Sequence, residues 1–250
     1  MVRGLIRKIF KKVKHPLIMK GSLFNSRTGK ASVNKRWAVV QEKQWAIIKR
    51  NERRYKDDFL KVHAYLSSDG WVGKSIDKDG KISYCIAFYP DVMELAEDFV
   101  NSFERLYCLT PKIKKVDAYY HVRLKNKVIY TYLQKHGSYD SLEWKVPEKL
   151  ILNRKMKILW LRCFIDSDGH VSKEGLLQIQ SVNKKGILKI KKLLGELGVN
   201  TTLTIYERKE KNWNINYILT VNKTEMFKMR RMFNMLHPLK RERLRYAGVP

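Results

Sequence analysis

Two short stretches hold the residues best placed to do chemistry, Ser68-Asp69-Gly70-Trp71-Val72-Gly73-Lys74 and Ser167-Asp168-Gly169-His170-Val171-Ser172-Lys173. They share the pattern S-D-G-x-V-x-K, and their aspartates stand 99 residues apart. Each follows an apolar, helix-like segment, "DDFLKVHAYL" and "MKILWLRCFI". One Asp-Gly step after a helix is an ordinary turn; two in the same frame ask for a shared role. Ala64 and Ser68, like Cys163 and Ser167, are small residues four apart, and small residues at that spacing let two helices approach closely. If the two helices pack, Asp69 and Asp168 meet at their C-terminal ends, where each faces a negative dipole end and the other acid. A divalent cation relieves that cost, because Mg²⁺ takes carboxylates together with phosphate oxygens. A metal held this way can activate water and stabilise the leaving oxygen of a phosphodiester. Asp166 has Ser67 as its counterpart and reads as a cap or a local hydrogen bond rather than a shared ligand.

The elements that would position these acids repeat as well. After the first copy, "WVGKSIDKDGKISYCIAF" reads as a hairpin turning at Asp79-Gly80. Val92, Leu95, Ala96, Phe99, Phe103 and Leu106 follow at helical spacing, then strands at "KIKKV" and "AYYHVRL" and a helix at "KVIYTYLQKHG", with Gly137 as its C-cap. After the second copy the order returns: a strand in "LLQIQSVN", a helix with Ile187, Ile190, Leu193, Leu194 and Leu197 on one face, strands in "TTLTIYERK" and "NWNINYILTV", and a helix in "KTEMFKMRRMFNML". Each half therefore reads α-β-β-α-β-β-α, an α+β tandem repeat. Three segments are predicted: a basic N-terminal extension over 1–50, a first repeat over 51–140 and a second over 141–250. The linker lies near 138–147, with Pro147 opening the next helix. "SIDKDGKISYCI" mimics a calcium loop through Asp77, Asp79 and Gly80, but Ile86 stands where the bidentate acid is needed, so it reads as a turn.

Composition narrows the partner. Among 250 residues, 52 Lys+Arg against 24 Asp+Glu give a net charge of +28, a field that favours polyanions. A hydrophobic fraction of 44% with 11% aromatics supports a packed core. No apolar run approaches ~20 residues, so no membrane span is expected. Cys85, Cys108 and Cys163 form no CxxC pair and the six histidines no HxxxH pair. A disulfide framework or zinc site is thus excluded, and a reducing compartment fits.

Val62 to Gly70, "VHAYLSSDG", and Leu161 to Gly169, "LRCFIDSDG", resemble the signature of the LAGLIDADG homing endonucleases. Leu161, Ile165, Asp166, Asp168 and Gly169 match in the second copy, and Leu66, Asp69 and Gly70 in the first. The resemblance spans about 55–245 and looks like the single-chain, two-motif type. It implies two antiparallel sheets forming a DNA-binding saddle with the motif helices at the central interface. It implies a monomer that cuts both strands of a long asymmetric duplex with Mg²⁺ (or Mn²⁺), leaving a 3′ overhang, in a mobile-intron role. It also implies metal binding by Asp69 and Asp168 with Gly70 and Gly169. By the same resemblance a basic or polar residue stands beside each acid, for which Lys145, Lys240 and Asn183 are the candidates.

Strand alternation selects the face turned to DNA. Thr202, Thr204, Tyr206 and Arg208 oppose Leu203 and Ile205; Asn214 and Asn216 point outward while Trp213, Ile215 and Tyr217 face the core; Gln178 and Gln180 alternate with Leu177 and Ile179. In the first half Tyr119, His121 and Arg123 share a face, and Lys78 and Lys81 flank the turn. Gln, Asn and Arg read base edges and Lys meets phosphate, although an outward sheet face is polar by default. The rival readings are an RNA maturase of the same fold, with intron RNA as partner, and a non-catalytic DNA-binding regulator. Retention of both acids disfavours a pure binder. Residues 1–40 hold eleven Lys+Arg and no acid, which suits a DNA-tracking arm, an organellar presequence or readthrough from an upstream frame. The expected setting is intracellular: archaeal or bacterial cytoplasm, mitochondrion or chloroplast.

Overall fold

The computed structural model describes residues 27–76, 78–207 and 213–246. Arg208, Asp77 and residues 1–26 of the basic extension lie outside them. By internal packing the chain divides after Glu42. Of the first unit the described part is residues 27–42, the opening turns of helix α1, Arg27–Arg54. Everything that follows belongs to the second unit.

There the C-terminal turns of α1 are anchored to the first repeat. Asn51 Nδ2 donates to the carbonyls of Arg105 and Leu106 at 3.0 and 3.1 Å, and Gln44 Nε2 to that of Tyr107 at 3.0 Å. These are orphan carbonyls of a helix end, which need a donor once water is excluded. The boundary drawn at residue 50 thus falls inside a helix whose last turns pack with the first repeat.

The first repeat runs α2 (Lys56–Ser67), β1 (Gly70–Ile76), β2 (Ile82–Phe88), α3 (Met93–Tyr107), β3 (Lys112–Val116), β4 (Tyr119–Lys125) and α4 (Lys127–His136). The second runs α5 (Arg154–Asp168), β5 (Gly169–Val171), β6 (Leu177–Ser181), α6 (Lys184–Glu196), β7 (Thr201–Tyr206), β8 (Asn216–Val221), a short 3₁₀ turn, α7 (Met226–Met232) and α8 (Pro238–Tyr246). The strands form two four-stranded antiparallel sheets ordered β1-β2-β4-β3 and β5-β6-β8-β7. Identical order in both confirms the tandem α+β repeat.

Helices cover one face of each sheet. Val72, Ile86, Phe88 and Val122 in the first, and Val171, Leu177, Ile179, Leu219 and Val221 in the second, are buried against them. The helical stripes read from the sequence are also buried: Leu95, Ala96, Phe99, Phe103 and Leu106 in α3, and Ile187, Ile190, Leu193 and Leu194 in α6, with Leu197 just past its end. The motif helices α2 and α5 pack on each other, with Ala64 and Cys163 fully buried. Burial pushes the Cys163 thiol up to about 12, so it fills space and does no chemistry.

Several local expectations are corrected. Pro147 does not open a helix: α5 begins seven residues later, capped by Asn153, whose side chain accepts from the Met156 N–H. The linker packs onto the protein, with Tyr139, Trp144 and Val146 buried in the core. The helix expected over 223–236 ends at Met232, because the chain turns to place α8. Gly137 caps α4 in extended rather than left-handed backbone. Ile205, Trp213 and Ile215 are 53, 59 and 37% exposed. Ile205 lies near the end of β7, and Trp213 and Ile215 precede β8, which begins only at Asn216, so the core face read for them from strand alternation is not realised. The Asp79-Gly80 hairpin forms as read, with Gly80 in the left-handed region at φ 73° and Ile76 paired to Ile82.

Candidate active site and nucleic-acid interface

The two acids stand where the motif helices end. Asp168 is the last residue of α5 and Asp69 follows the C-cap of α2. Each chain then reverses into a strand, and the reversal explains the glycine. A Cβ on Gly70 would collide with Leu66 Cα, and one on Gly169 would lie 2.6 Å from the Ile165 carbonyl oxygen. The first strand residue presses on the last helical turn, and only a residue without a side chain fits. The glycine thereby fixes where the aspartate before it points.

Across the helix interface Ser167 Oγ donates to Asp69 Oδ2 at 2.7 Å, so the residue just before one acid holds the other. Asp168 is open to solvent but sits at a recess lined by Ser68, Gly70, Ser141, Gln180 and Ser181. Desolvation by the surrounding protein, and then the Asp69 charge, push Asp168 up to about 7. Asp69 is also raised, chiefly by desolvation; the Ser167 hydrogen bond and the Lys240 charge act against this. Two acids this close resist joint ionisation unless a cation joins them.

Lys240, from α8, supplies one such charge. Its Nζ donates to the carbonyls of Ile165, Asp166 and Ser167 at 3.2, 2.6 and 2.7 Å. It thus sits at the negative end of α5, where a cation is favoured. Burial lowers its pKa, while Asp91, Asp166, Asp69 and Asp168 hold it up. The three N–H groups are taken by the helix end, so Lys240 acts as a fixed charge behind the acids.

Asp166 is fully buried, and beside the local bond its asymmetry between the halves suggested, from Arg162, it holds a segment some 70 residues further along the chain. It accepts from the N–H groups of Leu236 and His237 at 3.0 and 3.2 Å and from Arg162 at 3.0 Å. Asn183 is the clear correction. Its side chain caps α6, accepting from the Gly186 N–H at 3.0 Å, while Nδ2 donates to the Trp144 carbonyl at 2.6 Å. Buried, with Oδ1 and Nδ2 both engaged within the protein, it ties the linker to α6. Lys145 is exposed on the linker. Asp91 and His237 were missed by sequence reasoning; neither lies in a motif, and only the fold brings them to Lys240.

The outward sheet faces assemble as alternation predicted. Strand register aligns Gln178 with Thr220 and Thr202, and Gln180 with Ile218 and Thr204, and pairs Asn216 with Tyr206. Gln180 accepts from Asn216 Nδ2 at 3.2 Å. Asn214 is exposed just before β8. In the first sheet Arg123 aligns with Ala87 and Lys112, and His121 with Lys114, so the basic residues share one face with Tyr119. His121 stacks on Tyr89 with ring centroids 4.9 Å apart, and Arg123 Nε donates to Cys85 Sγ at 2.8 Å. Lys78 and Lys81 are exposed at the hairpin turn. The halves differ beside their acids. Phe88 pairs with Gly70 and Ile179 with Gly169, which makes Tyr89 and Gln180 equivalent positions.

Residues 155–231 match the family model of the LAGLIDADG-like domain. No curated protein sequence matches the chain. Among solved structures it is similar to I-DmoI in complex with DNA and Mn, at 17% identity and a TM-score of 0.57, over 72% of this chain and 97% of that one. A second match, I-DmoI in complex with DNA and Ca, has 18% identity and a TM-score of 0.55, over 76% of this chain and 96% of that one. Mesophilic variants of the homing endonuclease I-DmoI match at 16% identity and a TM-score of 0.57, over 72% and 97% of the two chains. At such identities the likeness is one of fold. The chain is a two-repeat protein of the LAGLIDADG fold, and its match to the family model falls in the second repeat.

Proposed function

We propose that this chain is a metal-dependent, site-specific DNA endonuclease that cuts both strands of a long, asymmetric duplex. The observation that carries the reading is the pairing of Asp69 and Asp168. They come from two repeats and meet at the ends of packed helices, where desolvation raises both and the Asp69 charge adds to the shift of Asp168. Among the described residues no group of three or more His, Cys, Asp or Glu is placed to hold a metal by itself. That donor set suits Mg²⁺ or Mn²⁺, which keep waters and accept one or two carboxylates plus substrate phosphate. Asp69 and Asp168, with the backbone at Gly70 and Gly169, would hold the ion, and the ion would neutralise charge on the attacked phosphate. Lys240 keeps both carboxylates ionisable. The polar sheet faces and the charge of +28 bind the duplex: Gln178, Gln180, Asn214, Asn216, Arg123 and His121 at base edges, and Thr202, Thr204, Tyr206, Tyr119, Lys78 and Lys81 at the backbone. Unequal halves imply an unequal, asymmetric site read by one chain. Residues 51–140 and 141–250 are its two DNA-binding repeats, and an intron-encoded origin follows from the same reading.

The test is cleavage of a randomised duplex library with Mg²⁺ or Mn²⁺ by the native chain and by Asp168→Asn. Metal-dependent double-strand cuts at one long site, lost in the variant, are expected. Binding by both proteins without cutting in either metal overturns the nuclease in favour of the maturase or regulator.

A further inference from the structure

Outside the motifs, one polar cluster joins the two halves at Lys240. Asp91, in the loop between β2 and α3, has Oδ2 at 3.0 Å from His237 Nε2. His237 immediately precedes α8 and is 5% exposed. Its Nδ1 accepts the Lys240 N–H at 3.4 Å, a long capping bond to the third residue of the helix, and Pro238 occupies the first helical position that proline favours. An accepting Nδ1 leaves the proton on Nε2, so the ring donates to Asp91. The backbone N–H of His237 meanwhile donates to Asp166 Oδ1 at 3.2 Å. The start of α8 is therefore held from both sides, by Asp166 of the second motif helix and by Asp91 of the first repeat. One turn further on, Lys240 reaches the end of α5.

We infer that Asp91 and His237 are positioning residues: they form a tether from the first repeat that sets the start of α8 and so keeps Lys240 Nζ on the carbonyls behind Asp69 and Asp168. The inference deepens the nuclease reading but stands on contacts within the chain alone. The Asp91 carboxylate is itself half-exposed, with a side-chain exposure of 58%. A wholly structural role in the core therefore does not explain a carboxylate there. Asp91 is also the foremost of the carboxylates holding Lys240 protonated; partial burial works against its own ionisation, and the His237 hydrogen bond together with the neighbouring His237 and Lys240 charges more than offsets it.

The experiment uses the full chain without DNA or metal. Lysines are acylated with acetic anhydride and read by peptide mass spectrometry in the native chain, Asp91→Ala, Asp91→Asn and His237→Asn. Lys145 serves as the exposed reference and Lys61, paired with Asp98, as the marker of general opening. Asp91→Ala is expected to raise Lys240 labelling several-fold with Lys61 unchanged. Asp91→Asn, still able to accept from His237, stays near native. His237→Asn keeps a capping oxygen but cannot span to Asp91, so it labels like Asp91→Ala. Unchanged Lys240 labelling in Asp91→Ala and His237→Asn overturns the tether, as does labelling that rises equally at Lys61. Strand-resolved single-turnover cleavage of the duplex recovered from the library then reads the consequence. The rate of the chemical step should fall in Asp91→Ala with duplex binding retained, and recover in Asp91→Asn. A native chain that cuts nothing overturns the nuclease reading and leaves the labelling to decide the tether.

Discussion

The chemistry of this chain rests on a small number of carboxylates in a strongly basic molecule, and their environment determines what they can do. Asp168 is raised to about 7 by desolvation and by Asp69. The unfolded chain ionises it near its ordinary value, so between that value and about 7 the native state holds the extra proton. Stability of the metal-free protein therefore falls as pH rises through this window. Asp168→Asn removes the penalty. Thermal unfolding at pH 8 without metal should show the variant more stable, and at pH 4 the two should converge. Solvent reaches Asp168 and screens the pair, so the gain is on the order of 1 kcal/mol. On the proposed reading the same ionisation would govern metal binding, because a carboxylate ligand must be deprotonated. Manganese affinity, measured by titration calorimetry, should weaken as pH drops below about 7 and be largely lost in Asp168→Asn. Strand cleavage by that variant should drop by at least ~10²-fold, the usual cost of removing a charge-stabilising group.

Elements carry the positions of those residues, and two substitutions separate positioning from chemistry. Gly169 lies so close to Ile165 that any Cβ meets backbone. Gly169→Ala should cost about 1–3 kcal/mol in denaturant unfolding and displace Asp168, so both stability and cleavage suffer. Asn183 acts at the other extreme. As the cap of α6 and the anchor of Trp144, its replacement by Ala should cost about 1–2 kcal/mol. The single-turnover rate of the bound complex should be unchanged. A rate loss without a stability loss would return Asn183 to the catalytic role that its sequence context suggested.

At the scale of the whole molecule, charge and two-sidedness dominate. On the proposed reading, the chain's net charge of +28 makes duplex affinity strongly salt-dependent. The slope of log K against log salt should be on the order of −5 or steeper. Gln178→Ala or Gln180→Ala should leave that slope nearly unchanged and relax preference at one or two base pairs by about 1–3 kcal/mol each. Lys78→Ala and Lys81→Ala should do the reverse, and binding titrations at several salt concentrations distinguish the two. The second motif helix carries polar contacts to the first half as well as apolar ones. Arg162 of α5 lies 3.6 Å from Asp98 of α3, and Trp160 Nε1 donates to the buried His63 ring at 3.3 Å. Burial, with His136 nearby, lowers His63 to about 3, so this ring stays neutral and adds no charge to the interface.

By itself the sequence determined the repeat, the element order in both halves, the acids at the helix ends and the polar character of the outward faces. These are local properties: a period of 3.6 or 2, a turn at Asp-Gly, and two copies of one pattern that check each other. The first motif is worn, yet Leu66, Asp69 and Gly70 stand in frame with the second, and that frame carried the fold. Only the tertiary structure decided which basic group reaches the acids. Lys145 and Lys240 have similar sequence contexts, but α8 carries one onto the end of α5 while the other stays exposed on the linker. It decided that Asn183 caps a helix, because capping depends on whether Gly186 N–H and the Trp144 carbonyl are within reach. It decided that Trp213 and Ile215 are exposed, because β8 begins only at Asn216 and a period of two in the sequence does not say where strand pairing starts. Asp91 and His237, 146 residues apart, leave no periodic trace, and a contact of that range exists only once the core has closed.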